Sequence, residues 1–378
     1  MRDAPREARR TCVETRMKKF TIALLYNLKI NAPKNGNADQ PWDAWNELDN
    51  EKSVAGIERA LRAGGHEVLG MEGDANLIQK LAHYKIDIAF NTCEGHRGGS
   101  RESQIPAMLD LIGMPYTGSG VTALALALDK PMTKRVLRFH NLPTPQFQTF
   151  VTGEEPIDAR LKFPLFVKPS REGSGMGVTA KSVCENARAL REQVRFIIAA
   201  YDEPALVEEF IEGREITTGL LGNAPWNIAP YRRNGNGNGN ARKQKNLIAE
   251  TLRVFSPLEV DLTPVPKEEA GLYTSVVKGK LYDVPTYLCP APVSKTMRAK
   301  LEKLSIAAFN ALDCYDFARI DFRIDRKSGE PMILEINPLA GLQEGISDIV
   351  MEAEADGVNY IALINGILNA ALQRYGMI

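Results

Sequence analysis

The chain has 378 residues, 44% of them hydrophobic and 25% charged, which describes an ordinary globular protein of two or three domains. Lys plus Arg equals Asp plus Glu at 47 each, so no global field draws the molecule to nucleic acid or an anionic membrane, and any basic site must be local. The five cysteines, at 12, 93, 184, 289 and 314, form no CxxC and no Cys/His cluster, which argues against structural zinc and a disulfide framework and makes a reducing cytoplasm the default compartment.

Residues 1–16 mix arginines with Asp3, Glu7 and Glu14, unlike an acid-poor transit peptide. They read as a disordered extension ahead of a natural start at Met17. MKKFTIALLYN, from Met17, superficially resembles a signal peptide, but its apolar run is short, lacks an AxA-like cleavage site and breaks at Asn27. It is better read as a first strand, TIALLY (21–26). No apolar run approaches the length of a membrane span. EKSVAGIERALRAGG places Val54, Ile57, Ala60 and Leu61 at helical spacing before Gly64 and Gly65 stop it. IDIAFN (86–91) is a second buried strand, followed by the helical SQIPAMLDLIG and a short strand at PYTG. Such alternation predicts a parallel sheet over an N-terminal α/β domain, residues 17–125.

VTALALALDKPMTKRVLRFHNLPTP is helical, with Pro131 in the first turn of its second segment and Pro143 and Pro145 ending it. A central domain, 126–222, then turns strand-rich: FPLFVK, the loop PSREGSGMG, VTAKSV, a helix near 185–200, ALVEEFI and EITTGLLG. A C-terminal α+β domain, 223–378, carries the helix RAKLEKLSIAAFNALDC, two polar-faced strands and a terminal helix, NYIALINGILNAALQRYG. Within it NGNGNGNARKQKN (234–246) is low in complexity and reads as a mobile insertion, either a lid or a segment without function.

Chemistry concentrates in FARIDFRIDRKSGEPMILEINPLAG (317–341). A strand sends residues i and i+2 to one side, so Arg319 shares a face with Asp321, and Glu335 with Asn337. RKSGEP has the length and composition of a hairpin loop, which sets the two faces side by side. Two acids and a carboxamide oxygen suit Mg²⁺, which keeps waters and completes its shell from phosphates, and the arginine would face phosphate oxygens or a developing negative charge. The alternative is an ordinary ion pair on a solvated sheet face.

KPSREGSGMGV begins with Lys168 at a strand end and offers Gly173, Gly175 and Gly177, whose backbone could approach an anion closely. It is neither a Walker A loop nor a dinucleotide fingerprint, since no helix follows, and a plain glycine-rich hairpin is an equal reading. VEEFIEGRE places Glu208, Phe210 and Glu215 after an apolar strand, as ligands for a base or ribose or as a solvated edge. Lys130 sits on a helical stretch. The histidines at 66, 83, 96 and 140 have no serine elbow or cysteine partner at a recognisable spacing, which disfavours covalent catalysis by the protein.

Taken in order, YTGSGVTALALALDKPMTK, FPLFVKPSREGSGMGV, VEEFIEGREITTGLLGN, YLCPA and ARIDFRID with LEINPLAG resemble the D-alanine:D-alanine ligases of the ATP-grasp superfamily, from about Phe90 to the C-terminus. That resemblance implies an ATP-grasp fold and an ADP-forming carboxylate-amine ligase working through an acylphosphate on small amino acids or carboxylic acids, as a cytoplasmic homodimer. It implies ATP with two Mg²⁺, Mn²⁺ being a possible substitute. Lys130 and Lys168 would contact the phosphates; Glu172, Gly173, Ser174, Gly175 and Gly177 would belong to the loop covering them; Glu208, Phe210 and Glu215 would hold the adenosine. Lys278 would approach the γ-phosphate. Asp321, Glu335 and Asn337 would be metal ligands, Arg319 would steady the intermediate, and Gly341 would line the oxyanion site. The departures cluster on the substrate side. After the first strand NLKINAPKNG stands where the family has a glutamate with a nearby serine, leaving Glu51 with Ser53 as a late substitute. CEGHRGGSRES replaces the family's His-Gly and GEDG, and NPLAGLQEGIS replaces NxxPGxTxxS, so that Ile346, or Ser347 after a one-residue shift, stands at the serine. Gly279 stands where a tyrosine follows the lysine. A ligase of specialised metabolism joining another pair of acids, and a nucleotide-binding protein without turnover, are the alternatives.

Overall fold

The computed structural model describes residues 18–33, 41–224, 252–269 and 271–378. The expected extension 1–16, the start at Met17 and the insertion 234–246 lie outside the described residues.

The N-terminal part contains β1 (Thr21–Tyr26), α1 (Glu51–Ala63), β2 (Glu67–Glu72), α2 (Leu77–Ala82), β3 (Ile88–Asn91) and α3 (Gln104–Leu111). Its sheet has the order β2-β1-β3 and both pairings are parallel, as the alternation predicted. β2 escaped the sequence reading because EVLGME is an edge strand with Glu67 and Gly70 exposed, and so lacks the apolar run of a doubly covered strand. PYTG contributes only a single parallel bridge, Ala89 to Tyr116, rather than a strand. Asn50 caps α1 by accepting from the Lys52 and Ser53 amides, and Gly65 leaves it at φ +90°, a turn that favours glycine. The buried stripe Ile57, Ala60 and Leu61 joins Leu24 of β1 in one core cluster with Leu363 and Ile367 of the terminal helix. Each of these isoleucine and leucine side chains withdrawn from water contributes roughly 1.5–3 kcal/mol.

Next come α4 (Val121–Leu128), α5 (Lys130–Phe139), β4 (Phe147–Phe150), β5 (Leu165–Pro169), β6 (Val183–Cys184), α6 (Ala187–Tyr201) and β7 (Ala205–Glu209). Asp129 caps α5 through the Met132 amide. The strands form an antiparallel sheet of order β4-β7-β5-β6, with Val194 and Ile197 of α6 packed on Val167 and Val207. VTAKSV is a strand only at Val183–Cys184: Thr179 and Ser182 hydrogen-bond each other's backbone and turn Ala180–Ser182 into a 3₁₀ helix.

The last part holds β8 (Gly213–Leu221), β9 (Arg253–Val254), β10 (Leu258–Asp261), α7 (Ser275–Lys280), β11 (Thr286–Leu288), α8 (Lys295–Ala311), β12 (Phe317–Asp325), β13 (Pro331–Asn337), α9 (Asp348–Ala355) and α10 (Tyr360–Arg374). The sheet order is β11-β10-β8-β12-β13, with β9 paired to β8. Ile320, Phe322, Ile333 and Ile336 bury against α8, which leaves the opposite face of β12 and β13 to polar residues. None of the described helices is long and apolar enough to cross a membrane.

Candidate active site

β12 and β13 pair antiparallel with Arg319 opposite Asn337 and Asp321 opposite Glu335, the side-by-side arrangement expected from the alternation. Arg319 Nε and Nη2 donate to the two oxygens of Asp321, each at 2.8 Å, and its Nη1 lies 3.4 Å from Asp348 Oδ2. Asp321 also accepts from Thr217 Oγ1 at 2.9 Å and from Asn337 Nδ2 at 3.0 Å. The Asn337 carboxamide oxygen is thereby turned away from Asp321. Burial by itself would lower the Arg319 pKa, but Asp321, Asp348 and Glu335 raise it well above the usual value and keep the charge fixed. Burial likewise favours protonating Glu335, yet Lys130, Lys168, Lys278 and Arg319 outweigh it and hold this carboxylate well below its usual range. Among the described residues no set of three His, Cys, Asp or Glu surrounds a metal position, so any ion here would rest on two carboxylates and a carboxamide, with the rest of its shell from ligand oxygens or water.

Of the predicted nucleotide residues, all but Ser174 and Gly177 converge on a cleft between the last two sheets. Lys130, Lys168, Glu172, Gly173, Gly175, Glu208, Phe210, Glu215, Lys278, Asp321 and Glu335 all line it. Phe166 and Phe210 stack with centroids 6.0 Å apart and Arg323 sits 5.2 Å over the Phe210 ring, making an apolar slot with a cationic rim. Arg323 Nη2 also donates to Glu215 Oε2 at 3.1 Å. Glu208, in contrast, is buried between two lysines, 2.7 Å from Lys168 Nζ and 2.6 Å from Lys134 Nζ. Burial raises its pKa, but the two lysines win and bring it to about 2. Lys134 has the opposite balance, with burial lowering its pKa to about 8 against the pull of Glu208. Sequence reading missed Lys134, although it stands four residues after Lys130 on one helix face.

A larger cavity adjoins this cleft and shares with it Lys130, Gly173, Tyr273, Lys278 and Glu335. Ser174, Arg319, Asn337 and Gly341 line the larger cavity. Its far wall is acidic, formed by Glu47, Asp49, Glu94 and Glu102. Glu51 is exposed at the start of α1 and lines a neighbouring cleft, so the carboxylate beside Ser53 is Asp49, which accepts from Ser53 Oγ at 2.9 Å and from Thr92 Oγ1 at 2.7 Å. Ile346 and Ser347 both border the cavity; the Ser347 hydroxyl accepts from the Gln343 amide at 2.9 Å.

The glycine loop is pinned from outside the central sheet. Lys130 Nζ donates to the Glu172 carbonyl at 2.6 Å, and Arg101 bridges Glu172 Oε2 at 3.0 Å and Glu47 Oε2 at 2.5 Å. Gly175, at φ +70°, packs so closely on the start of α7 that a Cβ would stand 2.8 Å from the Ser275 amide. Gly177 donates to Asp43 Oδ2 at 3.2 Å. None of Asp43, Arg101 and Asp348 announces itself in the sequence, because each acts across a long stretch of chain.

Comparison with known proteins bears on the family and the fold. The family model described as D-ala D-ala ligase C-terminus matches residues 136–260 and 250–369. An uncharacterized protein, y4sG, of Sinorhizobium fredii (strain NBRC 101917 / NGR234) is 35% identical over 344 residues, 89% of this chain and 90% of that protein. The D-alanine--D-alanine ligase of Bordetella avium (strain 197N) is 33% identical over 323 residues, 84% of this chain and 88% of that protein. The crystal structure of D-alanine--D-alanine ligase from Bacillus anthracis complexed with ATP shares the fold, with TM-score 0.67 at 18% identity over 95% of this chain and 99% of that one. An ATP-grasp architecture, a polar floor on β12 and β13 beneath a pinned glycine loop, and a matching family model over the last two sheets thus agree that this chain belongs to the D-alanine:D-alanine ligase family.

Proposed function

We infer that the chain is an ATP-dependent, ADP-forming ligase that joins the carboxylate of one small acid to the amine of another through an acylphosphate. One observation carries the reading: the nucleotide cleft and the acidic cavity meet at Lys130, Lys278 and Glu335, where a phosphoryl group from one could reach a carboxylate in the other. A carboxylate is a poor electrophile, so it first takes the γ-phosphoryl group, releasing ADP. The amine then attacks the acyl carbon and expels phosphate.

The ATP relationship has support in the ATP complex of the Bacillus anthracis neighbour. The Phe166/Phe210 slot suits the adenine, with Glu215 beside it, and Lys168 and Lys130 are placed for the phosphates. Glu208 keeps Lys168 charged and oriented at the edge of the same cleft. Mg²⁺ suits the all-oxygen set of Asp321, Glu335 and Asn337, provided that Arg319 shares or releases Asp321. When bound it would offset the repulsion between ATP and the incoming carboxylate. Arg319, with the Gly341 amide, would stabilise the oxyanion, and the loop from Ser170 to Gly177, Ser174 included, would exclude water from the acylphosphate. We further assign the enzyme to the cytoplasm, as a homodimer.

The test is Mg²⁺-dependent phosphate release from ATP against paired D- and L-amino acids and small acids, with product mass as readout. Release with a matching amide mass and a loss of about 100-fold or more in Asp321→Asn supports the reading. ATP binding without release for any pair rejects it.

A further inference from the structure

The acidic wall of the larger cavity holds more negative charge than one ammonium can balance. Glu47 is paired with Arg101, and Asp49 is held by the Ser53 and Thr92 hydroxyls. Glu94 and Glu102 differ from both. Both face the cavity, yet among the described residues neither carboxylate takes a hydrogen bond or an ion pair. Glu102 is only 8% exposed, at the Lys130 and Glu335 end of the cavity. A carboxylate drawn from bulk water into a cavity without a partner is costly, and the cost is offset either by a proton or by a ligand that supplies the partner.

We propose that the acyl-donor substrate is a basic amino acid whose side-chain ammonium or guanidinium is received by Glu102 and Glu94, in addition to an α-ammonium held by Asp49. This rests on the ligase reading above and names the substrate class for the same site. The arithmetic of charge favours it. Arg101 pairs with Glu47, Lys130 lies 3.6 Å from Glu335 and Arg319 lies 3.4 Å from Asp348, which among the described residues leaves Lys278 as the remaining lining cation against Asp49, Glu94 and Glu102, so a single α-ammonium still leaves one acid unbalanced. Without such a ligand the wall relieves the repulsion by holding protons: burial, Glu47 and Glu335, against the pull of Arg101 and Lys130, lift Glu102 to about 8, and burial with Glu102, Glu47 and Asp49, against Arg101, lifts Glu94 well above its usual range. A cation in the cavity would displace those protons, so binding is accompanied by proton release. A neutral side chain of the same length would leave both acids protonated and gain no ion pair.

The experiment compares isosteres in the ATP- and Mg²⁺-dependent phosphate release of the full chain: lysine against norleucine and arginine against citrulline, in both configurations. At least one basic member should exceed its neutral isostere by about tenfold or more in kcat/KM. That ratio should collapse toward unity in Glu102→Gln, and calorimetry in two buffers of different ionisation enthalpy should show proton release for the basic ligand only. Neutral isosteres turned over as well as basic ones, or a preference untouched by Glu102→Gln, overturn the proposal and leave the ligase reading standing. Failure of every carboxylate to release phosphate overturns both.

Discussion

Asp43 is the clearest single point at which the glycine loop can be loosened. It is 2% exposed, and its carboxylate accepts from the Gly177 amide at 3.2 Å, the Ser275 hydroxyl at 2.8 Å and the Tyr201 hydroxyl at 3.0 Å. One side chain thus ties the loop to α6 and α7. Asp43→Asn conserves shape but leaves one acceptor oxygen, so one or two of these bonds are lost. A hydrogen bond to a charged group contributes about 1.5–3 kcal/mol, so roughly 3 kcal/mol is at stake. At about 1.4 kcal/mol per decade, that corresponds to roughly 100-fold more of the open loop. The assay is amide hydrogen exchange over residues 173–178, paired with phosphate release not matched by amide product, which reads water reaching the acylphosphate. Faster exchange confined to the loop, with uncoupled phosphate release, is the expected result. Unchanged loop exchange alongside a lowered melting temperature of the whole protein would refute the latch and reduce Asp43 to an ordinary buried acceptor.

Arg374 is 1% exposed and donates Nη2 to Asp316 at 2.8 Å, so Arg374→Met strands a buried carboxylate and should cost about 3–5 kcal/mol in denaturant unfolding, most of it recovered by adding Asp316→Asn. Asp49 is raised by burial from 3.8 to about 6, which by linkage is worth up to about 3 kcal/mol. The folded state holds this proton more tightly than the unfolded chain, so the contribution is full below pH 3.8 and is lost as the pH rises through about 6. Asp49→Asn should therefore gain on the parent between pH 4.5 and 7.5 in denaturant titrations, whereas a constant difference would contradict the assignment. Gly175→Ala adds a methyl group 2.8 Å from the Ser275 amide at a φ of +70°, and should raise KM for ATP about tenfold or more with little change in unfolding midpoint if the loop alone is displaced.

The polar floor was legible in the sequence because everything that builds it is local. A period of two and a short Gly/Pro-containing connection suffice to place Arg319, Asp321, Glu335 and Asn337 together, while the register shift between Asp321 and Phe322, which skips Leu334, is a feature of the folded ladder. The helices α1, α6, α8 and α10 were legible for the same reason, since the apolar residues that mark each of them recur within a turn of one another. Edge strand β2 and the 3₁₀ turn after the glycine loop were not, since an exposed edge carries little apolar signal and a reciprocal Thr179/Ser182 cap overrides strand propensity. The acidic cavity depended on tertiary structure altogether. Glu47 meets Arg101 across 54 residues, Arg101 meets Glu172 across 71, and Asp43 meets Ser275 across 232. Such contacts leave no periodicity in the chain, because charged side chains at separate loop tips converge only after three sheets have packed and excluded the water between them.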